Sequence, residues 1–198
     1  INNSRDENII TLEDPVEYLF AAKKSMVRQR QLGVDMVTFA EGLKHILRQD
    51  PDVIMVGEMR DLETIAAALT MAETGHLVFA TLHTWSAAQT IDRIVDSFPA
   101  HQQQQIRLQL ALTLRGIITQ QLMPKKGGGR IAVREILVNN PAVANLIREN
   151  KVAQIKTVLQ TSAKEGMSTV AQDLKRLLKE GLIEKTAAEA MVVGEKIE

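Results

Sequence analysis

Residues 50–61, DPDVIMVGEMRD, place an apolar run directly before a glycine and a carboxylate. The run from Val53 to Val56 shows no alternation, which is typical of a parallel strand that is covered on both faces. Gly57 has no Cβ, so backbone or ligand atoms can approach closely where the strand ends. Glu58 follows at this exit, either as a simple solvent-exposed strand end or as part of a site.

Other segments of the chain repeat this pattern and are separated by helical periodicity. The runs Ile9 to Leu12 and Leu77 to Leu82 have the same apolar character, and Met26 to Leu32 is a weaker strand candidate. Thr38 and Asp61 are expected to cap the helices that begin after them. Because strands that alternate with helices form right-handed βαβ units, the sequence predicts an α/β fold with a mostly parallel sheet.

The second half of the chain is predicted to contain more helix. We expect a long helix over about residues 100–122 by its periodicity, a strand from Arg130 to Val138, and short helices that begin at the cap residue Asn140. This pattern predicts a core domain over residues 1–139 and a small helical domain over residues 140–198.

Composition excludes several classes of function. The 198 residues carry a formal net charge of zero, which argues against a nucleic-acid partner. The chain contains no run of about 18 apolar residues, so it is not expected to insert into a membrane. With no cysteine, it has no disulfide, no thiolate metal site and no cysteine nucleophile.

Acidic and imidazole side chains follow three of the predicted strands. Glu13, Asp14 and Glu17 follow the first strand, Glu58 follows DVIMVG, and His83 follows LVFATL. If the strands are parallel, these groups meet at one edge of the sheet, where ligands bind in open α/β folds. Carboxylates beside a histidine suit Mg²⁺ and an activated water, a combination that fits phosphoryl transfer.

Each of these residues also has a simpler interpretation. Asp14 before Pro15 is equally typical of a turn, and a histidine at a strand end is often structural. His76 lies about seven residues before His83, or roughly 20 Å along an extended chain, so the two cannot contact the same phosphate. We therefore expect His76 to have a structural or inter-subunit role.

A phosphate-binding loop is missing from the sequence. The pattern GxxxxGK[ST], which cradles phosphates in many such enzymes, does not occur. The only glycine-rich stretch, KKGGGR at residues 125–130, has neither the Lys-Ser/Thr pair nor a following helix. We expect the cradle to lie upstream of Ile1.

Three stretches resemble the signature boxes of secretion-type ATPases. ITLEDPVEY (residues 10–18) resembles their Asp box, and RQDPDVIMVGEMRDLETI (48–65) resembles their atypical Walker B. The stretch from residue 70 to 99, which contains ETGHLVFATLHT, resembles their His box. The resemblance implies a RecA-like P-loop NTPase core that is incomplete at its N-terminus, followed by the small helical domain.

Within this superfamily the chain looks most like the type IV pilus retraction motors. Pilus-assembly and type II secretion ATPases usually carry a paired CxxC insert, whereas this chain has no cysteine. AVANLIRE (residues 142–149) resembles the AIRNLIRE motif of the retraction family. By this resemblance Leu146, Ile147, Arg148 and Glu149 belong to a coupling element, although a helix that merely docks on the core fits equally well.

The resemblance also implies roles for the acidic and imidazole residues. Glu17 would orient or deprotonate the attacking water, and Glu58 would hold Mg²⁺ through water. His83 would contact the region of the γ-phosphate of ATP. Glu13 and Asp14 would complete the acidic cluster at the nucleotide.

The resemblance further implies a homo-hexamer that binds ATP and Mg²⁺. Such a motor is expected in the cytoplasm at the inner face of the cytoplasmic membrane, where it would act on the platform protein of the pilus machinery and drive twitching motility. The resemblance implies that the 198-residue chain alone is inactive, because the cradle is missing. Alternatives are a pilus-assembly or type II secretion ATPase and, less expected, a non-catalytic oligomeric scaffold.

Overall fold

The computed structural model describes residues 1–191 of the chain. Four parallel strands form the main sheet in the order β2-β1-β3-β4. They are β1 (Asn8–Glu13), β2 (Met26–Gln31), β3 (Val53–Val56) and β4 (Leu77–Ala80). The predicted parallel arrangement of the strands is therefore confirmed.

The described residues fall into two compact units. The first comprises Ile1–His83 and Ser97–Thr113, and the second comprises Thr84–Asp96 and the chain from Leu114 onward. Each unit contains segments that are separated along the sequence. The predicted boundary between residues 139 and 140 lies inside the second unit.

The first unit contains the parallel sheet and three helices, α1 (Phe39–Ile46), α2 (Leu62–Glu73) and α4 (Ala100–Thr113). Helix α1 packs on β1 and α2, and α2 packs on β4 and α4. The core is a cluster of apolar side chains from the strands and the first two helices: Ile10, Leu12, Phe39, Leu43, Ile46, Ile54, Val56 and Met71.

The second unit combines α3 (Ala87–Asp96) with an antiparallel hairpin and short C-terminal helices. The hairpin strands are β5 (Gly116–Pro124) and β6 (Arg130–Val138). The remaining helices are α5 (Pro141–Arg148), α6 (Ile155–Thr161), α7 (Val170–Lys179), α8 (Lys185–Met191) and the 3-10 turns Val152–Gln154 and Ala163–Glu165.

The three helix caps that the sequence predicts are present. The Thr38 hydroxyl accepts a hydrogen bond from the backbone N–H of Glu41 at 3.1 Å, and Asp61 accepts one from Thr64 at 2.8 Å. Asn140 caps α5 in the same way through the N–H of Val143 at 2.9 Å. Each cap satisfies a backbone donor that the first helical turn leaves without an intrahelical partner.

The helix predicted over residues 100–122 is shorter than expected. Helix α4 ends at Thr113, and strand β5 begins at Gly116. Side chains along β5 alternate between exposed and buried, with Ile117 and Thr119 inside and Ile118 outside. This period of two residues belongs to a strand, so the helical interpretation of these residues was wrong.

The hairpin and the C-terminal helices share one hydrophobic core. Met123 of β5 and Val133 of β6 pack with Leu174 and Leu177 of α7. This shared core places the hairpin in the same unit as the helices that follow residue 140. Among residues 1–191 no helix is both long and apolar enough to cross a membrane.

Candidate functional site

The exits of three strands lie at one edge of the parallel sheet. In register, Leu12 of β1 lies beside Val56 of β3, which lies beside Ala80 of β4. Because all three strands run in the same direction, the residues that follow them emerge together. This edge belongs entirely to the first unit.

Gly57 allows the chain to leave β3 close to β1. Its backbone N–H donates to the carbonyl of Leu12 at 2.7 Å, and a Cβ at this position would approach the same oxygen to 3.0 Å. A larger residue would therefore push the two strand exits apart. The absence of a side chain at Gly57 therefore lets the backbone place Glu58 close to the exit of β1.

The structure brings Glu58 and His83 into contact. Oε2 of Glu58 lies 3.3 Å from Nε2 of His83. The Glu58 side chain is 13% exposed, whereas that of His83 is 88% exposed. The pair thus presents a partly buried carboxylate beside an open imidazole, and both residues lie at the sheet edge on which the sequence places them.

Two hydrogen bonds to main-chain carbonyls hold the exits of β3 and β4 together. The N–H of Met59 donates to the carbonyl of Thr81 at 3.0 Å, and the Thr81 hydroxyl donates to the carbonyl of Gly57. These bonds flank the contact between Glu58 and His83. The relative position of the two side chains is therefore set by the backbone of both loops.

Arg60 is also part of this group, and no sequence pattern had indicated a role for it. Its guanidinium forms an ion pair with Oε1 of Glu58 and lies 3.9 Å from Oδ2 of Asp14. The next residue, Asp61, caps α2 and so fixes the backbone at Arg60. Arg60 thereby connects the exits of β1 and β3 through two carboxylates.

The charge around Glu58 keeps it ionised. The hydrogen bond from Arg60 is the main cause that lowers the pKa of Glu58, and the contact with His83 adds to it, while burial acts in the opposite direction. The same pairing with Glu58 raises the pKa of Arg60 above its usual range. The site therefore holds a carboxylate anion and a permanent cation side by side.

Glu13 belongs to a different hydrogen-bonded group. Its side chain is buried, and its Oε1 accepts from the Thr11 hydroxyl at 2.6 Å and from Nε2 of Gln29 at 2.8 Å. Asp14 alone joins the Glu58 group, through Arg60. The two adjacent acidic residues thus point into separate environments.

Glu17 is exposed in the loop of residues 14–25 between β1 and β2. The hydrogen bonds and ion pairs among residues 1–191 do not connect it to Glu58 or His83. The structure therefore places Glu17 in the loop that leaves the site edge, without a hydrogen bond or ion pair to Glu58 or His83 among the described residues.

His76 lies at the opposite end of β4 from His83, as the sequence predicted. Its Nδ1 is 3.0 Å from the carbonyl of Met71 and 3.0 Å from the hydroxyl of Thr74. Both partners belong to the end of α2. In this structure His76 joins the end of the helix to the start of the next strand.

The segment AVANLIRE lies on α5 in the second unit. Ile147 is buried and Leu146 is half-buried, whereas Arg148 and Glu149 are exposed. Glu149 pairs with Lys151 at 2.6 Å, and this hydrogen bond is the main cause that lowers the pKa of Glu149. The helix therefore docks through its apolar side and presents charge on the other.

The site edge can hold magnesium only together with other ligands. No group of three or more His, Asp or Glu side chains among residues 1–191 forms a metal-binding cluster. Mg²⁺ in phosphoryl-transfer enzymes is commonly bound through one or two carboxylates, with phosphates and water completing its shell. Glu58 fits that role through water, because Arg60 and His83 already contact its two oxygens.

The chain belongs to the Type II/IV secretion system protein family, whose model matches residues 1–128. The type IV pilus retraction ATPase PilT of Pseudomonas aeruginosa is 52% identical over 188 residues. The twitching motility protein of Neisseria gonorrhoeae is 53% identical over 189 residues. The resemblance to retraction motors is thereby confirmed.

A solved structure supports the same assignment of fold. The crystal structure of the pilus retraction motor PilT with bound ADP matches with a TM-score of 0.89 and 52% identity, covering 96% of this chain and 54% of the other. The α/β fold with a parallel sheet is therefore confirmed.

The chain spans about half the length of its relatives. The alignments cover 95% of this chain in both cases, but 55% of the Pseudomonas protein and 50% of the Neisseria protein. The shared half contains the site edge described above.

Proposed function

We propose that the protein carrying this chain is an ATP-hydrolysing motor subunit that drives type IV pilus retraction. The observation that carries the proposal is the contact between Glu58 and His83 at the shared exit of parallel strands. The identity of 52% to a pilus retraction ATPase supports the direction of the work, which the site chemistry does not define.

In this proposal the residues of the edge act on the terminal phosphate of ATP. Glu58 holds Mg²⁺ through water, and His83 contacts the γ-phosphate through its exposed ring. When bound, the metal ion neutralises charge that develops on the transferred phosphoryl group. Asp14 contributes to the acidic edge, whereas the buried Glu13 supports the adjacent loop.

Glu17 is proposed as the carboxylate that orients or deprotonates the attacking water. Its exposure leaves the carboxylate available to a bound nucleotide and its water. A general base at this point contributes roughly 10²- to 10⁴-fold to the rate of a reaction of this kind. Glu17 is therefore the residue whose substitution tests the mechanism most directly.

The proposal requires a phosphate-binding loop, which residues 1–198 do not contain. We propose that other residues of the protein supply it and that the 198-residue chain alone hydrolyses little ATP.

We further propose that the protein forms a homo-hexamer, with His76 in a structural or inter-subunit role. The ring would work in the cytoplasm at the inner face of the membrane, against the platform protein of the pilus machinery. Residues 146–149, at the end of α5, are proposed to couple the ring to its partners.

The substitution Glu17→Gln in the protein that carries this chain tests the mechanism. Removing the base should lower ATP turnover by at least about 100-fold, while the affinity for Mg-ATP stays within about threefold, since an amide of the same size preserves the loop. Turnover is measured as phosphate release, and affinity by calorimetry. Normal turnover in Glu17→Gln would remove this residue from the catalytic step.

The same variant in the bacterium separates retraction from the alternatives. A retraction motor without turnover leaves cells with pili but without twitching, because assembled pili are no longer withdrawn. A pilus-assembly ATPase without turnover leaves cells without pili, and a type II secretion ATPase leaves pili unchanged but stops protein export. A non-catalytic scaffold would show no change in any of these assays.

A further inference from the structure

The loop that carries Glu17 is held by side chains of the neighbouring strand. Residues 14–25 contain no helix or strand, and the tip around Tyr18 and Leu19 is exposed. A carboxylate on such a loop acts at a defined place only if the main chain around it is fixed. Two glutamines of β2, Gln29 and Gln31, provide fixed points on both sides of Glu17.

Gln31 fixes the residue before Glu17. The backbone N–H of Val16 donates to Oε1 of Gln31 at 3.1 Å. This contact uses Gln31 only as a hydrogen-bond acceptor. A carboxylate at the same position could accept the same bond.

Gln29 fixes the residues after Glu17, and it uses both ends of its amide. Oε1 accepts from the N–H of Phe20 at 2.8 Å, while Nε2 donates to the carbonyl of Tyr18 at 2.9 Å and to Oε1 of Glu13 at 2.8 Å. The reversed orientation would place an oxygen against two acceptors. Gln29 therefore must be both donor and acceptor.

The buried carboxylate of Glu13 anchors this arrangement. It receives the Thr11 hydroxyl at 2.6 Å in addition to the Gln29 amide. Gln29 and Gln31 lie two residues apart on β2, so they point to the same side of the sheet. The loop is thus tied through β2 to the end of β1.

We propose that Gln29 and Gln31 are positioning residues for ATP hydrolysis, which hold the main chain on both sides of Glu17. Neither side chain is assigned a contact with nucleotide. The proposal rests on the proposed catalytic role of Glu17, but the hydrogen bonds themselves can be tested separately. The two glutamines should respond differently to the same substitution, because only one of them uses its donor group.

The first measurement is hydrogen exchange of the backbone amides of Val16 and Phe20. Loss of one hydrogen bond should speed exchange by roughly 3- to 10-fold, and this is expected at Val16 in Gln31→Leu. In Gln29→Glu the same acceleration is expected at Phe20, because the new carboxylate is repelled by the Tyr18 carbonyl and the Glu13 carboxylate and moves away from the Phe20 N–H. Gln31→Glu should leave the exchange of Val16 within about twofold, because its acceptor is kept. Arg28→Ala, on the other side of β2, is the control and should change neither amide.

The second measurement is steady-state ATP hydrolysis by the same variants of the protein that carries this chain. Gln29→Glu and Gln31→Leu should lower kcat by roughly 10- to 100-fold, since small displacements of a catalytic group cost that much. KM for ATP should remain unchanged, and Gln31→Glu should keep most of the wild-type kcat. A merely structural role would not give this difference between kcat and KM.

Each outcome decides the proposal. Unchanged exchange in Gln31→Leu would show that the hydrogen bond does not hold the loop and would overturn it. Faster exchange with normal kcat, in a protein where Glu17→Gln abolishes turnover, would overturn the positioning role alone. Normal turnover in Glu17→Gln would instead overturn the proposed mechanism, and with it the catalytic purpose of the anchors. If Gln29→Glu fails to fold, the comparison of Gln31→Leu with Gln31→Glu is sufficient.

Discussion

Arg60 sets the electrostatic state of the candidate site. It is the cation between Glu58 and Asp14, and it keeps Glu58 as an anion before any nucleotide is bound. In a retraction motor this arrangement would keep the carboxylate in place between turnovers. To bind a metal ion or its water ligands through the same oxygen, Glu58 would have to give up its ion pair with the Arg60 guanidinium.

Replacement of Arg60 by glutamine should raise the pKa of Glu58 towards its ordinary value. In the unmodified protein the pKa of Glu58 is lowered, so its ion pair with Arg60 stabilises the fold at pH values above the pKa of an unfolded glutamate, about 4.3. This stabilisation is lost as the pH falls through the folded pKa. Carboxyl ¹³C chemical shifts of Glu58 measure the titration, with Arg28→Gln as a control. An unchanged midpoint in Arg60→Gln would contradict the assignment of Arg60 as the main cause.

The sequence predicts that Glu58 and His83 lie at the same edge of the sheet, because this placement depends only on the direction of the strands and on where they end. It did not predict the role of Arg60, whose contacts depend on how the loop before the Asp61 cap turns back. The contact between Glu13 and Thr11 could have been predicted, because residues two apart on a strand point to the same face of the sheet. The contacts of Gln29 could not, because a loop has no period from which to infer them.

Strand β5 shows how an element was misread. Helical and strand periods compete in the segment after α4, and only long-range pairing with β6 decides between them. Gly116 lies where β5 begins to pair with β6, and a Cβ there would come to 2.8 Å from the carbonyl oxygen of Leu137. By contrast, caps such as Thr38 and Asp61 were predicted correctly, because their contacts reach only three residues ahead.

The substitution Gly116→Ala should destabilise the second unit. The new methyl group meets main-chain atoms of β6, which cannot move aside as a side chain could, and we expect a loss of about 1–3 kcal/mol in the free energy of unfolding. Gln120→Ala, which is exposed on the same strand, should change it by less than about 0.5 kcal/mol. Urea denaturation measures both. Equal stability of the two variants would show that the hairpin accommodates the methyl group.

At the scale of the whole molecule, each of the two units has a hydrophobic cluster of its own among the described residues. One lies between the parallel sheet and its helices, and the other lies between the hairpin and the C-terminal helices. A boundary near residue 140 follows the local change from strand to helix. Such a boundary separates Met123 and Val133 from Leu174, with which they pack, because a local pattern contains no information on contacts between residues far apart along the chain.

Truncation of one core residue in each unit should therefore have local effects. Leu174→Ala and Leu43→Ala each remove a fully buried leucine side chain and should each cost about 2–5 kcal/mol. Hydrogen exchange should accelerate mainly at β6 in the first variant and mainly at β1 in the second. Uniform acceleration over both units in either variant would show that the cores unfold as one.

The division of the chain into units has a consequence for dissecting the protein. The polypeptide passes from one unit to the other three times, after His83, Asp96 and Thr113. No single continuous segment of the chain therefore contains the first unit alone. Ending the chain at residue 83 discards helix α4, and extending it to residue 113 includes α3 without its partner strand β5. A chain that ends at Thr113 and lacks residues 84–96 is the shortest gene design that keeps every element of the first unit.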